Sequence, residues 1–330
     1  MTKTKQNPDE DLTSLPIDQY SRQKWAAIFI DSLRGDSKKL SILDVGGYKG
    51  KTALFHDKDD VTVCDLFDVH EPGYVKGDGR KLPFKDNEFD YAVTFDTYEH
   101  VPRGDRKSFV EELCRVAAQG VVLAAPFDDQ THTVSQAEKD LNQYHIQLYG
   151  KDHPWLKEHI EYKIPQQSEL ESLIEQAGHH YTVLSSNDLT AWMVVQSIYF
   201  SIDLDDDLRG RVDDINRFYN KHLTYLDIPS DISYRKVYFI SQDKVAVDKI
   251  ADFISKLDVP QRAKKEEFFA LALSIFGKKY RDVENYKNYL EKELESALET
   301  VKDFERKNQD LQEQLNQPLL KRVRKKFRNS

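Results

Sequence analysis

The chain has 330 residues, of which 39% are hydrophobic and 11% aromatic, enough for one large core and something added to it. The net charge of −9 argues against nucleic-acid binding over the whole surface, and a charged share of 32% points to a long solvated helix. The two cysteines, Cys64 and Cys114, fit no zinc spacing and imply a reducing compartment, and no stretch is apolar for long enough to span a bilayer.

The polar start MTKTKQNPDEDLTSLP lacks an apolar signal core, so a cytoplasmic protein is expected, with residues 1–16 disordered. From Asp18 to about Leu33, Tyr20, Trp25, Ile28 and Leu33 make a rough helical stripe. "LSILDVGG" reads as a buried strand running into a glycine turn. "VTVCDLFD" and "FDYAVTFD" are the next strands, "SFVEELCRVA" is an amphipathic helix and "GVVLAAPF" is a fourth strand. This alternation predicts a parallel sheet covered on both faces. Thr131 to Pro165 carries His132, His145, His153 and His159 among Tyr144, Tyr149, Trp155 and Tyr162. It is either a lid with a substrate role or an ordinary amphipathic helical cover. "QSELESLIEQAG" is a helix closed by Gly178, "YTVLSSND" a strand, 189–227 a helical insertion and "SYRKVYFISQ" the final strand.

Beyond residue 257 the character changes. A connecting helix over 258–279 leads to a heptad pattern over 280–317. One core position holds Tyr280, Lys287, Leu294, Val301, Asn308 and Leu315; the other holds Val283, Leu290, Ala297, Phe304 and Leu311. This predicts a parallel coiled coil, most simply a homodimer, with a single solvated helix as the alternative. The tail 318–330 is strongly basic. Its stretch 319–328 suits the inner face of an anionic membrane, or a nucleic-acid or protein partner.

In open parallel sheets, ligands sit beyond the carboxyl ends of the strands, and glycines there let the backbone approach them closely. Gly46, Gly47 and Gly50 follow the first strand, with Asp44 two positions ahead; their spacing fits G-x-G-x-x-G poorly. Asp65, followed by Leu66, ends the second strand 21 positions after Asp44, where an acid can accept both hydroxyls of a ribose. Asp78 and Gly79 precede a Leu-Pro-Phe turn, where the acid could accept from an exocyclic amine. The third strand ends at Phe95 and Asp96, followed by "TYEHVP".

This series resembles the class I S-adenosylmethionine-dependent methyltransferases, in particular the group called methyltransferase type 11. Asp44, Gly46 and Gly50 match its acid-x-G-x-G-x-G turn, with Gly47 and Tyr48 displacing the central glycine by one. Asp65 matches the acid of the second strand, Asp78 to Phe84 the D-A-x-x-L-P-F loop, and Tyr98 to Val101 the L-E-H-V segment. The resemblance covers residues 35–128. It implies a Rossmann-like, doubly wound seven-stranded sheet with the last strand antiparallel, over a domain at 17–257. It also implies S-adenosylmethionine as cofactor, at Asp44, Gly46, Gly47, Gly50, Asp65, Leu66, Asp78, Gly79, Phe95 and Asp96.

The expected reaction is methyl transfer to an oxygen, on a sugar of a surface glycan or its lipid-linked precursor. The glycan assignment follows a fainter resemblance to methyltransferases encoded with glycan-assembly glycosyltransferases, which would be partners. A sugar hydroxyl needs a base, and the candidates are His100, Asp128, His132 and His159. No metal site is assigned, although Asp128 and Asp129 could serve a hard cation. A lipid, quinone or small metabolite is an alternative acceptor. A non-catalytic scaffold that holds partners through its coiled coil is the alternative of another class.

Overall fold

The computed structural model describes residues 11–35, 39–48, 51–202, 206–224, 232–257 and 262–315. In chain order the elements are α1 (Ile17–Leu33), β1 (Ser41–Val45), α2 (Thr52–Phe55), β2 (Asp60–Asp65), β3 (Tyr74–Lys76), β4 (Phe89–Phe95), α3 (Arg106–Val116) and β5 (Ala117–Pro126). Then come α4 (Thr133–Tyr149), α5 (Pro154–Tyr162), α6 (Gln167–Gln176), β6 (His180–Asp188), α7 (Leu189–Ile202), α8 (Asp206–His222), β7 (Ser233–Ser241), α9 (Lys244–Ser255) and α10 (Arg262–Leu315).

The seven strands form one sheet in the order β3-β2-β1-β4-β5-β7-β6. β7 runs antiparallel to both its neighbours, β5 and β6, and the β1 to β5 pairings are parallel. This is the expected seven-stranded architecture with its last strand reversed. Side chains alternate across each strand and build two cores. Leu43, Val45, Leu123 and Tyr238 join Phe109 and Leu113 of α3 and Ile174 of α6 on one face. Ile42, Val93, Val122 and Phe239 join Trp25 and Phe29 of α1 and Ile250 of α9 on the other. A third cluster links Leu141 of α4, Leu156 of α5 and Trp192 of α7 with Tyr234 of β7. From β1 the chain winds outward through β2 and β3, then crosses back to β4 on the other side. The carboxyl ends of β1 and β4 therefore diverge and leave a crevice.

Three readings change. β3 has only three residues, too few for any periodic signal. The expectation of disorder is corrected for residues 11–16. Leu12–Ser14 forms a 3-10 turn, and Asn220 of α8 donates to the carbonyls of Thr13 (2.9 Å) and Leu15 (2.8 Å); residues 1–10 lie outside the described residues. The insertion resolves into α7 and α8, with 225–231 outside the described residues.

The chain divides into two compact units, Met1–Ala272 and Leu273–Ser330. In the first, Phe268 at the start of α10 is buried against Tyr219 of α8, with ring centroids 5.4 Å apart. In the second, α10 leaves Leu290, Leu294, Val301, Phe304 and Leu311 exposed. The side chains of Tyr280, Val283 and Leu315, and the basic stretch 318–330, lie outside those described.

Candidate functional site

β1 delivers Asp44 and Val45 to the crevice, and the chain turns at Gly46 with φ +80°. A Cβ on Gly46 would strike the Thr97 side chain, and one on Gly47 would strike the Asp44 carboxylate. Both glycines are needed for the turn to lie this low. Asp44 is buried and accepts from Thr52 Oγ1 at 2.5 Å, while its Oδ1 has no partner. Burial pushes its pKa up to about 6, against the pull of the Thr52 hydrogen bond.

Beyond the turn lies a cleft of about 330 Å³, lined by Gly46, Asp65, Leu66, Asp78, Gly79, Thr97 and His100 among others. Asp65 sits at its lip and accepts from the backbone N–H groups of Tyr48 (3.1 Å) and Leu66 (2.6 Å). Leu66 and Phe67 stand beside it 65% and 59% exposed, Phe67 with its ring against that of Tyr48, centroids 5.0 Å apart. Asp78 is paired with Arg80 at 2.7 Å, which holds its pKa below the usual carboxylate range. Gly79 leaves no room for a side chain beside the Phe109 ring. Gly50 lies outside the described residues.

Phe95 and Asp96 are not in this cleft. The Phe95 ring packs into the core beneath α1, because its position on β4 points it to that face. Asp96 instead opens onto a second, smaller chamber of about 190 Å³, with Asp18, Glu99, His100, Trp155, His159, Trp192, Tyr234 and Arg235. Its backbone holds φ +46°. Arg235, fully buried on β7, grips it in a fork, Nε to Oδ1 at 2.7 Å and Nη2 to Oδ2 at 2.5 Å; Arg22 of α1 pairs with it as well. Burial alone would raise the Asp96 pKa, but the two guanidinium charges outweigh it and keep the group ionised. Trp192 stacks on Tyr234 with centroids 3.6 Å apart, giving the chamber a flat aromatic wall.

His100 lines both cavities. Its Nε2 faces Nε2 of His159 at 3.2 Å, and its Nδ1 lies 3.2 Å from Glu158. His159 Nδ1 lies 2.9 Å from Glu138 Oε1, to which the Tyr234 hydroxyl donates at 2.8 Å. Burial works against a charge on His159, but the Glu138 hydrogen bond and the surrounding carboxylates prevail and its pKa is raised. That of His100 is lowered, by burial first and by the His159 charge second. Glu99 is buried beside them; burial and then the Asp96 charge push it up to about 8.

The other candidates lie apart. Asp128 caps α4, accepting from the N–H groups of Val134 (3.0 Å) and Ser135 (3.1 Å) and from the Ser135 hydroxyl. His132 is exposed and 3.3 Å from Asp128. The two line a third cavity of about 810 Å³, which shares His159 with the chamber but is lined by Asp128 and His132 where the chamber is not. Asp129 accepts from the Thr131 N–H in the adjoining turn. His145 and His153 serve packing among α4, α5 and α7: His145 donates to the Lys151 carbonyl at 2.8 Å, and His153 stacks on Phe200. Sequence reasoning passed over Arg22, Glu138, Trp192, Tyr234 and Arg235. Of these, Arg235 did carry a signal, a guanidinium entering the apolar run of the last strand, where a buried charge has to find an acid.

Residues 56–125 match the family model described as a methyltransferase domain. A curated relative, the demethylmenaquinone methyltransferase of Staphylococcus saprophyticus, is 30% identical over 120 residues, covering 34% of this chain and 50% of the relative. The chain thus spans about half the length of that relative. Among solved structures, the YcgJ protein of Bacillus subtilis is 14% identical, with 66% of this chain and 97% of that one covered and a TM-score of 0.39. The 1,6-didemethyltoxoflavin-N1-methyltransferase of Burkholderia thailandensis is 13% identical, with 68% and 78% covered and a TM-score of 0.37. Over residues 56–125, which run through β2, β3, β4 and α3 into β5, the chain is similar in sequence to the methyltransferase domain family.

Proposed function

We propose that the protein is an S-adenosylmethionine-dependent methyltransferase whose acceptor is an oxygen of a sugar. The observation that carries this reading is that a glycine-floored cleft and an aromatic, carboxylate-lined chamber share His100 as a common wall.

The residues of the cleft fit the cofactor. The bare glycines leave room for its methionine part, and the unpartnered Oδ1 of Asp44 lies beneath them. Asp65 is suited to the ribose hydroxyls, exposed Leu66 to the flat face of the adenine, and Asp78 to its edge. The cofactor supplies an activated methyl on a sulfonium, so the protein's tasks are to position the acceptor, keep water out and help the hydroxyl lose its proton. The Trp192–Tyr234 wall offers a sugar ring a flat apolar face, while Asp18 and Asp96 can accept from its hydroxyls. Trp155 of α5 closes the chamber from the lid side. A sugar hydroxyl is a weak nucleophile, and its proton has to be drawn off at the His100 wall.

The test is incubation of the full chain with the cofactor and a lipid-linked glycan extract, read by mass spectrometry. The expected outcome is one added methyl on a sugar oxygen, with transfer reduced in Asp65→Ala at sub-saturating cofactor. Cofactor binding without transfer to any acceptor would favour the non-catalytic scaffold. The name of the curated relative favours a second reading, a quinone acceptor; demethylmenaquinone in the same assay separates the two.

A further inference from the structure

We infer that Glu99, His100 and His159 hold a divalent transition-metal ion at the wall between the cleft and the chamber. The argument starts from the protons on the two rings. His100 Nδ1 lies 3.2 Å from Glu158 and His159 Nδ1 2.9 Å from Glu138. A carboxylate accepts, so each imidazole carries its proton on Nδ1. With each Nδ1 so engaged, the two Nε2 atoms face one another at 3.2 Å, joined either by one proton on His159 or by a metal ion. Two lone pairs do not converge at that distance without a cation between or beside them.

Glu99 selects a metal over a shared proton. Its Oε1 lies 4.0 Å from His159 Nε2, and its Oε2 is buried with no partner. One donor atom from each of the three residues lies within 4.8 Å of the others. Nitrogens bound to zinc at about 2.0–2.1 Å in a tetrahedron stand about 3.3 Å apart, close to the separation here. The outer shell also fits. Metal-binding histidines donate their second N–H to a carboxylate that fixes the ring, and Glu158 and Glu138 stand in that position; Tyr234 holds Glu138 in turn. Two imidazoles and a carboxylate suit zinc, iron or a neighbour, not magnesium or calcium.

Three protein ligands leave an open position, and all three residues line the chamber. An ion there would withdraw electron density from an acceptor hydroxyl and ease the transfer of its proton to a chamber carboxylate such as Asp18. This role rests on the methyl-transfer reading; the site itself does not.

The experiment uses the full chain, freed of metal by chelation, dialysed against Zn²⁺ and analysed for bound metal, with Co²⁺ as a spectroscopic probe of the ligand field. One ion per chain is expected, with a visible Co²⁺ spectrum distinct from that of the aqueous ion. Glu138→Gln should weaken retention by roughly 10–100-fold with the fold intact by circular dichroism, while His70→Gln, at an exposed histidine, keeps it. No uptake by the wild-type chain, or unchanged uptake in both Glu99→Gln and His159→Gln, overturns the site. Metal uptake without methyl transfer to any acceptor would count against the enzyme reading alone. Methyl transfer by a chain that takes up no ion would count against the site alone.

Discussion

Asp65 and Asp44 illustrate how differently two acids at one glycine turn are used. Asp65 keeps its carboxylate at the lip of the cleft, where it organises the Tyr48 and Leu66 N–H groups. A charge-assisted hydrogen bond to a ligand there contributes roughly 1.5–3 kcal/mol. Titration calorimetry of Asp65→Ala should therefore show cofactor binding weakened about tenfold or more, and unchanged affinity removes Asp65 from the site. Asp44 is buried, and its pKa rises from 3.8 to about 6. The folded chain thus holds this proton more tightly than the unfolded chain does. The stability it contributes is complete below about pH 4 and is lost as pH rises through about 6. Asp44→Asn, which still accepts from Thr52, should raise the melting temperature of the cofactor-free protein near pH 7, a gain on the order of 2 kcal/mol, and leave it little changed near pH 4. Equal melting at both pH values would mean that the buried carboxylate carries no penalty.

At the scale of elements, β7 does more than complete the sheet. It brings Arg235 to the carboxyl end of β4, where the guanidinium is fully buried on Asp96 and also donates to Asn187 at 2.5 Å. Removing one partner of a buried pair costs about 3–5 kcal/mol, because the other charge is stranded. Urea unfolding of Arg235→Met should show a loss of that size; a loss near zero would mean that Arg22 alone satisfies Asp96. α10 poses a different question. Val301 and Phe304 are 51% and 66% exposed on a helix that no other element in the second unit covers among the described residues. With Leu290, Leu294 and Leu311 they form the proposed seam, and Asn308 would favour two strands in register. Sedimentation of the full chain should give a dimer, and a chain carrying both Val301→Glu and Phe304→Glu a monomer. A monomeric wild-type chain sinks the seam.

For the whole molecule, charge is unevenly placed. The net charge is −9, yet Lys321, Arg322, Arg324, Lys325, Lys326 and Arg328 crowd the last residues. Among the described residues no helix is long and apolar enough to cross a membrane. We propose peripheral attachment at the cytoplasmic face, each basic group contributing about 1 kcal/mol near an anionic surface and a dimer offering two tails. Such a place suits an acceptor carried on a lipid and a glycosyltransferase partner working on the same chain of sugars. Co-sedimentation with anionic vesicles at moderate salt should retain the full chain and release one ending at Gln317. Equal retention ends the membrane proposal.

The strands, the glycine turn and the acids at the ends of β1 and β2 were legible in the sequence because each is a local signal. Apolar runs, a break at Gly46 and a fixed interval from Asp44 to Asp65 all lie on one stretch of chain, and the type of sheet follows from strands alternating with helices. The chamber was not legible. Its walls come from α1, the end of β4, α5, α7 and β7, and no pattern along the chain states which helix face lands on which strand end. The four histidines of 131–165 are alike as residues; only His159 falls on the face of α5 that meets His100, while His145 and His153 pack among aromatic rings. Asp96 and Asp128 both follow strands on the same edge of the sheet. α4 begins five residues after Asp128 and draws both of its oxygens to the helix N-terminus, whereas Asp96 is met by arginines from α1 and β7. What a carboxylate or an imidazole does is decided by the partners that folding brings within about 3 Å, and those partners are far away in sequence.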